Sequence, residues 1–361
     1  MKSWRFLRCK VLFLLLLFPT QGHGQVSIQA ELVLTVGSDE PVLTAALSAD
    51  GRLAYAIEKT VDYGQRRQRR VEVYAMLPDG GEKKRIIPDD YFRDSEDPNR
   101  VLHVTVERLE WSPDGSRLAV EVTAQGGTAT FFFKSTGGAL RIRGGGNVVS
   151  GYGARWLGDN GSLGILEEAV SPRLLHRVLV LRVEAGRTIP LFRPRTFAGV
   201  AWVPGRMQVV LVERDRDFAD PPRLLVGDLA SGGVSDLGPE PDYLGGLRAA
   251  PDGERFSYFA GQKKLVVRKL TGAVERTISI PFTRYEWLPT GGALAYLEPQ
   301  GPGLRAGWLA VWNPQTQTSE RLVPEERISD FWLAPDGSHV AILTAEEVPA
   351  LKVYRLQVHI P

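Results

Sequence analysis

One ten-residue stretch, WSPDGSRLAV from Trp111 to Val120, returns in altered form along the whole chain, and no other feature limits the possible folds as strongly. The copies are ALSADGRLAYAI from Ala46, WSPDGSRLAVEV from Trp111, WLGDNGSLGILE from Trp156 and WVPGRMQVVLVE from Trp202. The series continues with AAPDGERFSYFA from Ala249, WLPTGGALAYLE from Trp287 and LAPDGSHVAILT from Leu333. They follow one another roughly every 45 residues, the length of a four-stranded unit in a repeating all-β array. In each copy a large residue ends one strand, an Asp-Gly or related pair turns the chain, and alternating aliphatic residues start the next strand. Glycine accepts the positive φ of such a turn at little steric cost. The large residue is expected to pack between neighbouring units; it is tryptophan in four copies and Ala or Leu in three, so the packing tolerates change.

Each copy carries a second half, such as VEVYAMLPDGGEKKRII, ATFFFKSTGGALRIRG and RLLVGDLASGGVSDLG, in which apolar alternation around a Gly-containing turn signals a hairpin. The last copy reaches only its third strand, LKVYRLQVHIP. At the other end VSIQAELVLTV, from Val26, precedes the first copy with nothing to pair with. Joining the two closes the ring and removes two open sheet edges. The expected fold is all-β: a seven-bladed β-propeller of four-stranded antiparallel blades, one domain over 25–361, closed by the N-terminal strand on the C-terminal blade. Six blades and a free tail is the alternative.

WSPDGSRLAV, APDGERFSYF and APDGSHVAIL resemble the SPDG repeat of TolB-type, WD-repeat-like propellers, and similar repeats form the propeller domains of prolyl-oligopeptidase-type peptidases. The resemblance covers essentially everything after the first 24 residues. It implies a propeller and a place in the bacterial envelope, but one such fold hosts many activities. A departure from both is expected: the seven repeats leave no room in these 361 residues for the α/β domain of the first or the hydrolase domain of the second.

Residues 1–24 read as a secretory leader: Lys2, Arg5, Arg8 and Lys10, then the short apolar run VLFLLLLF, then Pro19 and small residues, with cleavage expected after Gly24. The run is too short to span a bilayer. Four of the 44 basic residues lie in this leader against 42 acidic ones in all, so the remainder is slightly acidic and carries no nucleic-acid footprint. The single cysteine, Cys9, also lies there, which suits an exported chain in an oxidising compartment.

Loop lengths are lopsided. Tight turns gather on one face of the expected ring, whereas VDYGQRRQRR (61–70), IPDDYFRDSEDPNR (87–100), EEAVSPRLLH, RDRDFADPP and EPQGPGLRAG gather on the other. Long loops on a rigid scaffold are the usual place for recognition. In blade 1, Arg66, Arg67, Arg69 and Arg70 beside Asp89, Asp90 and Arg93 suggest a docking patch with Tyr63, Tyr91 and Phe92 as anchors; a solvated, self-paired loop is the plainer reading. Glu167, Glu213 and Glu298, each eleven residues after its tryptophan, are expected to end second strands at the channel mouth, with His103 nearby. Asp215, Asp217 and Asp220 have the spacing of a cation loop but lack its turn glycine and closing glutamate. No zinc spacing, G-x-S-x-G elbow or phosphate loop is present. The reading is therefore an exported, monomeric, non-enzymatic scaffold that binds a protein or peptide, with no cofactor, no nucleic acid and no membrane span. A propeller enzyme acting on a small molecule or glycan, or a subunit gating a separate hydrolase, are the alternatives.

Overall fold

The computed structural model describes residues 27–37, 40–63, 66–88, 91–92, 102–124, 127–141, 146–158, 161–168, 175–183, 185, 187–192, 195–214, 219–261, 264–279, 284–301, 306–313, 318–325 and 327–359. Among them there are strands and no helix. Seven blades of four antiparallel strands follow the repeat: their innermost strands are Val42–Leu47, Thr105–Trp111, Tyr152–Trp156, Phe197–Trp202, Tyr243–Ala249, Tyr285–Trp287 and Ile328–Leu333. One bridging pair, Gly307 of the third strand of blade 6 with Ile328 of the innermost strand of blade 7, joins these two blades. The outermost strand of blade 7 is Ser27–Gly37, which pairs with Ala350–His359 from Ser27↔His359 to Gly37↔Ala350. The expected closure is therefore the observed one.

The turns explain the Asp-Gly signature. Gly51, Gly115, Gly205, Gly253, Gly291 and Gly337 all adopt φ between +66° and +78°. The amide of Gly115 donates to the Ser112 carbonyl at 2.8 Å, and the Asp114 carboxylate accepts from the Ser116 amide at 3.0 Å. A short acidic side chain thus satisfies backbone that the turn leaves unpaired. These turns also touch one another around the ring: a Cβ on Gly115 would meet Asp50 of blade 1, one on Gly291 would meet Asp252 of blade 5, and one on Gly51 would meet His339 of blade 7.

What sits between blades is a knob and a socket. The large residue at the end of each innermost strand points back at the preceding blade: Trp156 Nε1 donates to Glu110 O at 3.4 Å, Trp202 to Gly153 O at 2.9 Å, and Trp287 to Ser257 Oγ at 2.9 Å. The socket is one second-strand position: Ala54 under Trp111, Ala119 under Trp156, Gly164 under Trp202, Ser257 under Trp287 and Ala295 under Leu333. A Cβ on Gly164 would lie 2.5 Å from the Trp202 ring, so only glycine fits there. Where the knob shrinks to Ala249 the socket grows to Val210. Interiors are close-packed, so at that seam the larger socket takes up space that the smaller knob leaves.

Candidate functional site

In blade 1 the second and third strands, Leu53–Tyr63 and Arg66–Met76, each run eleven residues and pair one to one as far as Tyr63↔Arg66. The corresponding strands of blades 2 to 6 have six to eight. The segment 61–70, expected as a loop, is instead strand on both sides of its turn. It forms an arm projecting roughly 15 Å beyond the other second-strand ends at about 3.3 Å per residue. Beyond the disc a hairpin has no neighbour to bury a face against, so it keeps the ladder without apolar alternation.

The arginine run divides. Arg67 and Arg69 are exposed, with side chains 83% and 66% accessible, and pair with Asp62 at 3.5 Å and Glu58 at 3.2 Å. Arg70 points inward and corrects the docking expectation for that residue: it bonds to Glu72, whose side chain is 2% accessible, and Arg85 adds a second charge at 3.6 Å. Tyr74 donates to the same carboxylate at 2.5 Å. Burial alone would raise the Glu72 carboxyl; the Tyr74 hydroxyl, Arg85 and Arg70 outweigh it and hold the carboxyl below its ordinary range. Burial and the Glu72 contact push Tyr74 up to about 12. Of Tyr63 and Arg66 only the backbone pairing is described.

Tyr91 and Phe92 are not free anchors either. Tyr91 lies edge-on to Phe92, Phe131 and Phe133 with ring centroids 5.2–5.6 Å apart, and its hydroxyl bonds to Asn147. Both aromatics cover the core between blades 1 and 2. Asp89, Asp90 and Arg93 lie outside the described residues. The sequence did hold a signal for this: three consecutive phenylalanines, Phe131 to Phe133, present apolar rings on both faces of one strand, so something must cover the outer ones.

Glu213 ends its second strand, and Glu167 and Glu298 stand one residue before the ends of theirs. They do not converge: Arg177 holds Glu167 at 2.9 Å, Arg195 holds Glu213 at 2.7 Å, and Glu298 sits beside Pro299, Gln300 and Trp308 in a shallow depression. His103 is exposed, just ahead of the innermost strand of blade 2. Asp220 is exposed, while Asp215 and Asp217 lie outside the described residues. Among the described residues no His, Cys, Asp and Glu side chains cluster as metal ligands would.

The charges that do gather are on the inner wall. The sequence R-x-E-W occurs twice, as RLEW (108–111) in blade 2 and RYEW (284–287) in blade 6. Period-two alternation sends Arg and Glu to the same side of the innermost strand. Arg108 contacts Glu110 at 3.0 Å, and Glu110 also holds Arg155 of blade 3 at 3.3 Å. Arg284 lies 3.5 Å from Glu286, is paired with Asp330 of blade 7 and donates to Phe331 O at 2.6 Å. Arg108 is crowded on all sides, yet water still reaches 35% of its side chain. Burial alone would lower its pKa; Glu110, Glu121 and, from blade 6, Glu286 outweigh this and raise it. Arg284 is lowered, by burial first and then, against the pull of Glu286, by Arg248 and Arg108. Blades 2, 5 and 6 thus sense one another's charge around the axis. Reading the repeat from its tryptophan onward passes over this belt, because the belt lies in the residues just before it.

No family model matches the sequence, and no curated protein matches it. By structure, 979 chains of solved structures match. One of them belongs to a crystal structure of the mitotic checkpoint complex: 16% identical, TM-score 0.57, over 96% of this chain and 99% of that one. At that identity the likeness is one of fold alone, in keeping with the β-propeller described above.

Proposed function

We propose that this WD40-like propeller is a protein-binding scaffold whose partner engages the arm of blade 1 and the long-loop face around it. The observation that carries the reading is the arm itself: two eleven-residue strands extend past the disc and present Arg67 and Arg69. The Arg67–Asp62 pair is exposed, with Glu58 beneath Arg69 half-buried, and exposed pairs contribute about 0–1 kcal/mol, so a partner's carboxylate exchanges for Asp62 at little cost. A non-enzymatic role is favoured by Glu167 and Glu213, which are held by arginines rather than poised as a general acid or base. Export to the envelope is the reading that the basic-then-apolar leader and the TolB-type repeat favour.

The test is cross-linking of the tagged full-length protein in cells, beside a variant in which residues 60–69 are replaced by a two-residue turn. A defined protein captured by the wild type, and lost from a shortened variant that melts at the same temperature, is the expected result. Equal capture of that protein by both would remove the arm from the proposal.

A further inference from the structure

Arg155 and Arg248 occupy the same place in two different blades. Each stands one residue before the knob, and each pairs on the ladder with its blade's socket residue, Arg155 with Gly164 and Arg248 with Ser257. Around Arg155 the preceding blade supplies Glu110, whose carboxylate lies 3.3 Å from the guanidinium. Around Arg248 the preceding blade has Ala201 in the corresponding position, paired with Val210 as Glu110 is with Ala119. The two innermost strands concerned, Phe197–Trp202 and Tyr243–Ala249, pack directly against each other. Arg248 is exposed, and its one hydrogen bond among the described residues goes to its neighbour's carbonyl, Leu247 O, at 3.2 Å. On the other side, in blade 6, Glu286 is taken by Arg284.

We propose that Arg248 binds a ligand carboxylate at the inner wall, in the place that Glu110 fills beside Arg155. A guanidinium has five donors in a fixed fork that matches a carboxylate, and this one has a single weak commitment. Arg284 is lowered by burial first and then by Arg248 and Arg108, and a carboxylate added at Arg248 would offset the part due to Arg248. The ligand is an acidic side chain or C-terminus of a polypeptide, or a free small acid. The site lies on the inner wall of blade 5 and does not depend on the arm of blade 1.

The test follows the arginine Nε–Hε resonances of the full-length protein by NMR. The probes are a capped peptide Ac-Gly-Gly-Glu-Gly-Gly-NH2, its glutamine counterpart, succinate, and sodium chloride at matched ionic strength. One resonance, identified by its loss in Arg248→Gln, should move and saturate with the glutamyl peptide or succinate, and stay still with the glutaminyl peptide and chloride. Ala201→Glu supplies the carboxylate from blade 4, so it should hold that resonance at the bound position and weaken the response about tenfold or more. A stronger response to the peptide assigns the carboxylate to a polypeptide, and a stronger response to succinate assigns it to a small acid; either upholds the site. Equal movement with chloride, no movement with any probe, or unchanged binding by folded Ala201→Glu would overturn it. Melting curves check that both variants fold, and Arg248→Gln decides alone if Ala201→Glu does not.

Discussion

The seam between blades 3 and 4 and the seam between blades 4 and 5 use the same two positions with the volumes exchanged. In the first a tryptophan, Trp202, lies on a glycine, Gly164; in the second an alanine, Ala249, lies by a valine, Val210. The other knob positions carry Leu47, Trp111, Trp156, Trp287 and Leu333. Between these two seams the volume passes from knob to socket, so a tryptophan at the knob is only one way to fill the space.

Trp202→Ala should break the larger-knob seam most, losing about 3–5 kcal/mol in urea unfolding because the glycine socket cannot close the space. If the loss is under about 1 kcal/mol, the knob does not carry the seam. The buried carboxylate on the blade 7 side of blade 1 is the polar counterpart of these apolar seams. Glu72→Ala leaves Arg70 and Arg85 facing each other and should cost about 3–5 kcal/mol.

Gly164→Val alone drives a side chain into the Trp202 ring and should cost about 1–3 kcal/mol. Combined with Trp202→Ala it imitates the smaller-knob seam, so the double variant should be more stable than the sum of the single losses predicts; strict additivity would refute the volume rule. Ser257→Ala strips the Trp287 indole of its acceptor and should cost about 1–3 kcal/mol with the knob still seated.

The same Glu72 cluster sets a pH test. Its carboxyl is held below its unfolded value near 4.3, so its stabilising contribution is complete above that value and is lost as pH falls through the lower folded value. Melting temperature measured downward from pH 5 should fall more steeply in the wild type than in Glu72→Gln; parallel curves would show that another group dominates. Smallest of all, Arg67→Ser with Arg69→Ser should leave stability within about 0.5 kcal/mol, because both side chains are exposed and paired only at the surface.

The blade plan was legible because Asp-Gly turns and apolar alternation report the core directly, and the unpaired VSIQAELVLTV supplied the fourth strand that the last copy, ending in LKVYRLQVHIP, lacked. The arm was not, since strands that bury neither face show no alternation, and QRRQRR reads as a loop to any rule built on burial. Tyr91 and Phe92 were misplaced for the opposite reason: they sit in a polar segment but complete a core whose other half, Phe131 and Phe133, lies in the next blade. Which way Glu167 and Glu213 turn depends on Arg177 and Arg195, and no spacing rule conveys that.

The closure of the ring also sets a timetable for synthesis. Ser27 and His359 are ladder partners, so the first of these strands waits while the ribosome makes the roughly 330 residues that separate them. At about 5–20 residues per second that wait is on the order of 15 seconds to one minute. Throughout it Ser27–Gly37 has two bare edges and an apolar face with Leu34 and Val36 uncovered. Such a strand is a template for its counterpart in a neighbouring nascent chain, and two chains that exchange these strands form a dimer with every blade complete. Dilution during refolding should therefore raise the monomer yield, because the strand then meets its own last blade before it meets another.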